Sequence, residues 1–597
     1  MAEHLSIDGP RAMLYFLDCL TDSMPEFVRW QLEQYHAAGA RIVVFTFLQA
    51  PRIQEELKEL RESGVISDFL ISKELWSPFA VFERVFAKGV PGGAWDVYFS
   101  NAQSFGPLVP VDDLFQAREK SGAAIWGITL LSGRGDEFVE PYFFSISREV
   151  LSDSRFLKAI AKVSSSKGNQ HVRINELSRT LCREFGCDAF VRIADTRPIR
   201  VFRFEQPFSV NATDFLIRKY GMPFIPVTSF RNRRENRFSI VGAIIDALRE
   251  RFPSYPEHLI LDYLRMAAPL SWTRDYPGTL RVLDAPGRKP VELPQMRVAI
   301  KAHLFYLEML ETAYDSFSNM PVPFDLYCTT CSDEVREAIL KEVKGRLPLL
   351  REVKVAKVPN RGRDIGPWLT ALTAEEDCYD VILKYQTKRR LQQPNVFGEA
   401  WSSFINACVL GSQSAVQEIL ALFASDAQLG IVMPSYPPPI TITTPSAYIG
   451  LPKMMELFEV CRKRYAPTAP AETAAPVFSA GTVFWYRPKA IRALREARLR
   501  PEDFPAEPLP PLTILHAMER IIPYVAQSAG YHYHTVMPYG RLCRSYELLE
   551  GRMLSSVPLE AHPPLPGRNP LEGLGFRGLA KATMKAFVKA VKKRSPF

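Results

Sequence analysis

The sequence lacks the features that would place the chain across a membrane or in an export pathway. No stretch approaches the roughly 20 consecutive apolar residues needed to span a bilayer, so any membrane contact is expected to be peripheral. Residues 1–10 include acidic side chains and no apolar core of signal-peptide length, and we therefore expect no export. Nine cysteines in 597 residues, mostly isolated in apolar segments, are typical of buried thiols in a reducing compartment. Together these features predict a cytoplasmic location.

Motifs for metals and common cofactors are also scarce. Cys328 and Cys331 have the spacing of half a zinc site, but no second pair completes it, and His532 and His534 have no evident third ligand. The sequence contains no Walker loop, no dinucleotide fingerprint and no Gly-x-Ser-x-Gly. The second half lacks the Asp-x-Asp pair with which many sugar-nucleotide transferases hold a divalent metal. We therefore expect no cofactor and favour metal-independent chemistry, with a divalent metal left open.

The positive charge of the chain is concentrated near its C-terminus. The formal net charge of +9, from 74 basic and 65 acidic residues, is a mild excess for this length. Residues 573–597 alternate lysines with apolar residues at helical spacing, which predicts a basic amphipathic helix. A solvated terminal helix is the alternative, but a membrane-surface anchor is favoured because anionic lipid attracts lysine. Nucleic-acid binding is disfavoured, since basic and aromatic residues are not interleaved elsewhere.

Two regions alternate strand-length apolar runs with helical periodicity, a pattern typical of parallel-sheet α/β domains. The expected fold is therefore α/β with two similar domains. The predicted strands begin near residues 13, 42, 69, 95, 124 and 142 in the first region, and near 298, 324, 353, 379, 429 and 482 in the second. The predicted organisation is an N-terminal domain (1–210), a helical connector (211–292), a second domain (293–545), a linker (546–572) and the basic helix (573–597).

The segment Asn360-Arg361-Gly362-Arg363-Asp364 follows the predicted strand Val353 to Val358. Ligands of open α/β sheets bind at the carboxyl ends of strands, and two arginines beside an aspartate can hold a diphosphate. A surface turn closed by an Arg-Asp pair is the alternative. The next strand also ends in cations, including Lys384 and Lys388, where a second phosphate contact or a solvated charge run is expected.

Two later segments add candidates for the same site. Gly481 lies in a turn of small residues before an aromatic strand containing Trp485, whose ring packs either against a sugar or in the core. His516 and Arg520 are spaced one helical turn apart, with Glu519 beside them. A glutamate at a cleft is a plausible general base for an acceptor hydroxyl, and an exposed helix carboxylate is the alternative.

These segments together resemble the rhamnan synthesis protein F family, glycosyltransferases of bacterial cell-surface polysaccharide assembly. The first half is similar through Ser104–Leu108, Trp126–Thr129 and Tyr142-Phe143. The landmarks of the second half are His303, Asn360–Asp364, Pro367, Tyr379-Asp380, Thr387-Lys388, Trp401, Leu410–Ser412, Gly430, Ala480-Gly481, Phe484-Trp485, Arg487-Pro488, Phe504-Pro505, Glu507 and His516–Arg520.

The resemblance implies two GT-A-like domains and the transfer of a deoxyhexose, typically rhamnose, from a nucleotide-diphosphate sugar to a polyprenyl-linked glycan. On this basis Arg361, Arg363 and Lys388 would hold the diphosphate, and Asn360 and Asp364 would contact nucleoside or sugar. Glu519 or Asp364 would act as the base of an inverting displacement. The remaining candidates are Lys384, Thr387 and Gly481 for the donor, and His303, Trp485, Arg487 and His516 for the acceptor or for support of the site.

The chain departs from the family pattern in both halves, including Asn101–Ser104, where the family tends to have Asn-Asp-Ser. Gln386-Thr387-Lys388 stands where the family often has His-Thr-Lys, so any role for a histidine at that position is lost. In the first half, Lys73–Pro78 replaces an Arg-x-Asn-x-Gly-x-Asp-like turn, so we expect the N-terminal domain to be inactive and to bind acceptor or a partner domain. The competing hypothesis is a non-catalytic glycan-binding or scaffold protein. The enzyme itself is expected to lie on the cytosolic face of the inner membrane.

Overall fold

The structure is a computed structural model that describes most of residues 11–556. The residues outside the description are 1–10, 20, 22, 76, 87–95, 134–135, 141, 166–169, 194–209, 211, 231–240, 274–276, 290–291, 294, 388–395, 437–451, 473–474, 510–511 and 557–597.

The first region forms a mixed sheet covered by helices on both faces. Its apolar strand-sized runs alternate with amphipathic helices, as the periodicity predicts. The strands are β1 (Ala12–Leu17), β2 (Arg41–Thr46), β3 (Asp68–Ile71), β4 (Val97–Asn101), β5 (Ser104–Phe105), β6 (Ile125–Gly133), β7 (Asp136–Val139), β8 (Phe143–Ile146) and β9 (Cys187–Ile193). The helices are Glu26–Ala37, Pro51–Glu62, Pro78–Phe86, Val111–Ser121, Arg148–Ser152, Ser154–Ser164 and Gln170–Phe185.

The order of this eight-stranded sheet is β3-β2-β1-β4-β8-β6-β7, with β9 paired to β6. β1 is parallel to β2 and β4, whereas β8 is antiparallel to β4 and β6. The prediction of a parallel-sheet domain is therefore corrected to a mixed sheet. Antiparallel pairing is required where the connection is too short for a parallel crossover, as between β6, which ends at Gly133, and β7, which begins at Asp136.

The connector contains three helices among its described residues and also contributes strands to two sheets. Its helices are Thr213–Tyr220, Val241–Arg251 and His258–Met266, with 3-10 turns at Val227–Phe230, Leu270–Trp272 and Pro277–Thr279. β10 (Ile225–Pro226) pairs with β5, and β11 (Leu280–Leu283) becomes the edge of the second sheet. The boundary predicted at residue 292 therefore falls after the second sheet has begun.

The second region forms the other eight-stranded sheet. Its further strands are β12 (Val298–His303), β13 (Phe324–Thr330), β14 (Leu350–Lys357), β15 (Val381–Gln386), β16 (Leu429–Pro434), β17 (Phe484–Tyr486) and β18 (His532–Pro538). Its helices are Leu310–Phe317, Asp333–Arg346, Ile365–Thr370, Val396–Leu410, Gln413–Ser425, Pro452–Tyr465, Arg492–Glu496 and Ile514–Ser528, and its 3-10 turns are Leu307–Met309, Glu376–Cys378, Pro488–Ile491 and Pro501–Asp503.

Strand directions in the second sheet determine where a ligand can bind. The order is β11-β18-β16-β17-β15-β12-β13-β14, and β17 is antiparallel to both of its neighbours. All other neighbouring pairs are parallel, so these seven strands share one carboxyl edge. From β12 the chain proceeds outward to β13 and β14, then returns to β15 on the other side of β12. This reversal marks the edge above β12 and β15 as the usual ligand crevice of an open α/β sheet.

The chain divides into two compact units, residues 1–538 and residues 539–597. In the second unit, the helix Tyr539–Ser556 extends beyond residue 545, where the predicted linker begins. Leu542, Tyr546, Leu549 and Met553 recur at helical spacing there, and the first proline follows at 558. The predicted basic helix at 573–597 lies outside the described residues.

The described helices were also compared with the length of a bilayer. No single helix among them is long and apolar enough to cross a membrane. One pair bent by 58°, Ala400–Leu410 and Gln413–Ser425, meets the requirement by length and composition.

Candidate functional site

A buried ion pair lies at the carboxyl edge of the second sheet. Lys384, on β15, has 1% of its side chain exposed and donates to Asp364, which begins the short helix after β14. The hydroxyl of Thr482, just before β17, donates to the same carboxylate oxygen. Burial alone would raise the pKa of Asp364, but the charge of Lys384 and the two donated hydrogen bonds hold it below its ordinary value. Asp364 is therefore ionised at physiological pH, and its contacts connect the turn to β15 and to the start of β17.

His303 ends β12 beside this pair. Its Nδ1 lies 3.0 Å from the hydroxyl of Thr329 on the neighbouring strand β13. Burial lowers the pKa of His303 to about 4, an effect partly opposed by Asp364 and reinforced by Lys384. The imidazole is therefore neutral at physiological pH and presents a polar but uncharged surface to the edge.

The turn Asn360–Arg363 depends on two successive residues in the left-handed region. Gly362 has φ 72° and Arg363 has φ 51°, and a Cβ at Gly362 would lie 2.8 Å from Gly366 Cα. Glycine is therefore required at 362, and Arg363 is held in a conformation that most residues avoid. The turn reverses the chain so that Asp364 enters the protein while Asn360 stays exposed.

The two arginines of the turn have different environments. Arg361 Nη1 donates to the carbonyls of Glu502 and Phe504, each at 3.3 Å, and so fastens the turn to the segment 502–506. Arg363 has 54% of its side chain exposed, and its Nε donates to Glu507 at 2.9 Å. Arg363 is therefore the cation of this turn that an incoming anion can reach.

Glu519 lies on the helix Ile514–Ser528 and faces the same edge. Its Oε1 accepts from the backbone N–H of Gly481 at 2.9 Å, and its Oε2 lies 3.5 Å from Arg520 Nη1. Gly481 has φ 104°, a conformation that side chains rarely adopt. With 19% of its side chain exposed, Glu519 is fixed in orientation yet open to solvent.

His516 lies one turn before Arg520 on this helix. Its Nδ1 is 3.2 Å from the backbone nitrogen of Thr513 and thus caps the helix start. Burial lowers its pKa, Glu519 opposes this shift, and Arg520 and Arg363 reinforce it. The short helix Ile365–Thr370, which follows the predicted turn, contacts this helix.

Two further side chains complete the edge. Gln386, at the end of β15, donates to the carbonyl of Gly481 and to the Thr482 hydroxyl at 2.8 Å. Thr387 is buried, and its hydroxyl accepts from the backbone N–H of Phe305 at 3.2 Å. Both residues brace the edge. Lys388 lies outside the described residues.

Two predicted residues lie away from the edge and have structural contacts. Trp485 is fully buried, and its indole N–H donates to the carbonyl of Val409 at 3.2 Å, which agrees with the core-strand alternative rather than with sugar stacking. Arg487 donates to the carbonyls of Leu429, Phe423 and Asp426, so its guanidinium satisfies the end of the helix Gln413–Ser425.

Sequence reasoning missed several polar groups beneath the edge. Lys301 donates to Glu376 and, at 2.6 Å, to the carbonyl of Trp368, and both charged groups are buried. Arg495 lies 3.8 Å from the same Glu376. Lys301 precedes His303 by two residues and shares its face of the strand, which is the signal that could have revealed it. Glu376 and Arg495 lie in segments distant from Lys301 in the sequence, so no local pattern indicates these contacts.

These observations define a mixed α/β protein whose polar groups converge where ligands of open sheets bind. A model of the rhamnan synthesis protein F family matches residues 95–531. The chain belongs to this family.

Individual relatives are more distant. Two Xanthomonas campestris pv. campestris proteins, each named Uncharacterized protein WxcX (strains B100 and ATCC 33913), are 27% identical over 248 residues, which is 41% of this chain and 33% of theirs. The chain thus matches about a third of the length of these relatives.

Solved structures give only weak similarity. The glycosyltransferase GlyE of Streptococcus pneumoniae TIGR4 is 12% identical over 70% of this chain and 99% of its own, with a TM-score of 0.25. The Pyrobaculum calidifontis mannosyltransferase PcManGT, in complex with GDP-Man and Mn²⁺, is 12% identical over 46% of this chain and 64% of its own, with a TM-score of 0.24. Both TM-scores are too low to carry an inference, and the family assignment rests on the family model.

Proposed function

We propose that this protein is a glycosyltransferase of cell-surface polysaccharide synthesis with its donor site at the carboxyl edge of the second sheet. The observation that carries the proposal is the convergence of Asp364, Lys384, Gly481 and Glu519 where the strand order reverses. Membership of the rhamnan synthesis protein F family supports the same conclusion. The proposed reaction moves a deoxyhexose, rhamnose in the first instance, from a nucleotide-diphosphate sugar to a lipid-linked glycan.

Arg363 is the proposed diphosphate ligand. Its guanidinium is exposed and paired with Glu507 on one side only, so a diphosphate can exchange with that carboxylate. Arg361 supports the turn through backbone carbonyls rather than binding the donor directly. Asn360 is exposed beside them and is assigned to the nucleoside or sugar. Lys388 keeps its predicted role as a second phosphate contact.

Glu519 is the proposed general base. Its carboxylate is oriented by the Gly481 N–H and is partly open, as a group that removes a proton from an acceptor hydroxyl must be. The contacts of Asp364 argue against that residue as base, because its Oδ2 accepts from Lys384 and Thr482 and its pKa is lowered. Asp364 instead positions the turn. One carboxylate and a leaving-group cation suffice for a metal-independent, inverting displacement.

The direct test is transfer by the purified full chain. A panel of nucleotide sugars would be incubated with a lipid-linked acceptor mimic, with and without chelator. We expect transfer from a deoxyhexose donor in both conditions and its loss in Arg363→Ala. Absence of transfer from every donor, or full activity in Arg363→Ala, would contradict the site assignment.

A scaffold function remains the second candidate, and the first sheet supplies its supporting observation. In the first sheet the strand order reverses at β1 and β4, which corresponds to the reversal at β12 and β15 in the second. Here Gln103 Nε2, after β4, donates to Asp18, after β1, at 2.9 Å. Such a contact favours a non-catalytic first half. Thermal shift separates the hypotheses for the whole chain, because a scaffold without a donor site is not stabilised by nucleotide diphosphates.

The proposed location is the cytosolic face of the inner membrane, with residues 573–597 as a peripheral anchor. The concentration of lysines in that segment supports it. Deleting the residues after Gly573 should move the protein from the membrane fraction to the supernatant, and unchanged pelleting would exclude this segment as the anchor.

A further inference from the structure

A histidine pair that the candidate site does not use lies at the opposite edge of the second sheet. His532 is the first residue of β18 and His534 the third, so both side chains project from one face of the strand. β18 runs parallel to β16 and β11, which places its first residues at the amino-terminal edge. Both side chains are buried, with 4% and 2% of the residues exposed.

The fold brings a carboxylate to this pair. Asp426 follows the helix Gln413–Ser425, and one ligand atom from each of Asp426, His532 and His534 lies within 4.8 Å of the others. Asp426 Oδ2 is 2.9 Å from His532 Nε2, while its Oδ1 accepts from the Gln428 N–H at 3.0 Å. The Asp426 side chain is 36% exposed, which gives an ion a path from solvent.

One nitrogen of the pair is unsatisfied. His532 Nδ1 is buried and has no hydrogen-bond partner among the residues that the structure describes. The other ring nitrogen of His532, Nε2, faces Asp426 Oδ2, so a cation held by both residues would lie between these two atoms and replace their hydrogen bond.

We propose that Asp426, His532 and His534 bind a zinc ion. Two imidazoles and a carboxylate are a donor set that suits Zn²⁺, whereas Mg²⁺ and Ca²⁺ prefer oxygen ligands. The ion would join the end of the helix Gln413–Ser425 to the start of β18. Because this edge is opposite the candidate donor site, its role is to stabilise the fold rather than to take part in transfer.

A neighbouring arginine competes with the ion. Arg281 Nη2, on β11, lies 3.3 Å from His534 Nε2, and His534 Nδ1 lies 3.3 Å from the carbonyl of Thr279. The guanidinium thus occupies the nitrogen that a metal would take and adds positive charge beside it. If the three residues bind zinc, removing the charge of Arg281 should strengthen the binding. If they form only a network of hydrogen bonds, removing this charge should create no affinity for zinc.

The test uses the full chain, dialysed against chelator and then titrated with Zn²⁺ or with Mg²⁺ alone. We expect about one tightly held zinc per chain by elemental analysis and a Tm that rises with Zn²⁺ but not with Mg²⁺. Asp426→Asn, a change at the exposed ligand, should weaken zinc binding at least about tenfold. Arg281→Gln should bind zinc more tightly than the wild type.

His36→Asn serves as the matched control, because His36 is exposed on a helix of the first region and should leave zinc binding unchanged. Failure of the wild-type chain to retain zinc, or wild-type affinity in Asp426→Asn, would overturn the proposal. Weaker zinc binding in Arg281→Gln would do the same, since the arginine would then support the site rather than compete with it.

Discussion

Glu519 differs from the other carboxylates at the carboxyl edge of the second sheet in the groups that contact its side chain. Asp364 and Glu376 are buried against lysines, and Glu507 is paired with Arg363. Glu519 instead accepts one backbone N–H and has its second oxygen 3.5 Å from Arg520. A carboxylate oriented by the backbone keeps the capacity to accept a proton, which is why the proposed mechanism assigns it the base.

Glu519→Gln should therefore remove catalysis while leaving donor binding in place. The amide keeps the size of the side chain and, through its oxygen, can keep the bond from Gly481 N–H, but it cannot accept a proton. We expect kcat to fall by about 100-fold or more, with little change in the nucleotide-induced thermal shift. Glu502→Gln, which changes an exposed side chain, is the control and should keep full activity. Equal activity in both variants would remove Glu519 from the mechanism.

His303 predicts how stability depends on pH. Burial lowers its folded-state pKa to about 4, below the ordinary value of 6.5, so on acidification the unfolded chain takes up this proton first. Its contribution to stability is complete above the unfolded pKa and is lost progressively as pH falls from about 6.5 towards 4. The loss at the acid end is about 3 kcal/mol, from the shift converted at about 1.4 kcal/mol per unit.

Chemical denaturation at about pH 7 and about pH 5 would measure this loss. His303→Gln removes the titration and retains a polar side chain beside Thr329, so it should be less sensitive to acid than the wild type. Other buried histidines contribute equally to both proteins and cancel in the comparison. Identical pH dependence in the two would show that His303 does not titrate as the geometry implies.

At the scale of elements, apolar periodicity predicted twelve of the strands, missed β5, β7, β9, β10, β11 and β18, and did not predict the contacts between segments. β12, Val298–His303, begins at the predicted residue, and its residues are buried throughout. The turn after β14 was also predicted, since Gly362 signals a reversal. The partners of that turn, from Phe504 to Glu507, are more than a hundred residues away, and local pattern carries no information about them. Asp426 is similarly far from His532 in the sequence, so local pattern did not predict their contact.

Gly362→Ala tests whether the turn needs glycine for its conformation or also for space. A Cβ there would lie 2.8 Å from Gly366 Cα and from Phe504 Cγ. Gly64 is the matched control, because it also has positive φ, 79°, but a Cβ added to it would meet no atom within 4 Å. Both variants should lose about 1 kcal/mol from left-handed strain, and Gly362→Ala should lose a further 1–3 kcal/mol, about as much as overpacking costs.

Denaturation midpoints of the two variants provide the measurement, and donor-induced thermal shift shows whether the turn still binds. Gly362→Ala should also lose the shift, since Arg363 and Asp364 move with the turn. Equal destabilisation of the two variants would mean that the turn relaxes away from Phe504 without cost.

At the scale of the whole molecule, the two sheets share one plan. Each proceeds outward from a central strand and returns on its other side, and residues 1–538 form one compact unit. Hydrogen bonds join the connector to the second region: Gln527 on the helix Ile514–Ser528 donates to the carbonyls of Arg265 and Ala268 at 3.1 and 2.8 Å. Composition and periodicity indicated two separate domains because they report on each core alone and not on such contacts.

Glu472 is the side chain on which this connection depends most clearly. Its carboxylate accepts from the backbone N–H and the hydroxyl of Ser271 in the connector, at 3.1 and 2.6 Å, and from the Tyr524 hydroxyl at 2.9 Å. Glu472→Ala would leave these buried donors without their acceptor, at a cost of about 1–3 kcal/mol for each group that stays unsatisfied. Glu472→Gln should lose much less, because its amide can donate to the Ser271 oxygen while its own oxygen accepts from the other two groups.

Calorimetry should therefore show a lower and broader transition for Glu472→Ala, as the two regions begin to unfold independently, and a transition close to wild type for Glu472→Gln. If the two variants unfold alike, the connector is joined to the second region by apolar packing, and the buried carboxylate contributes little to it.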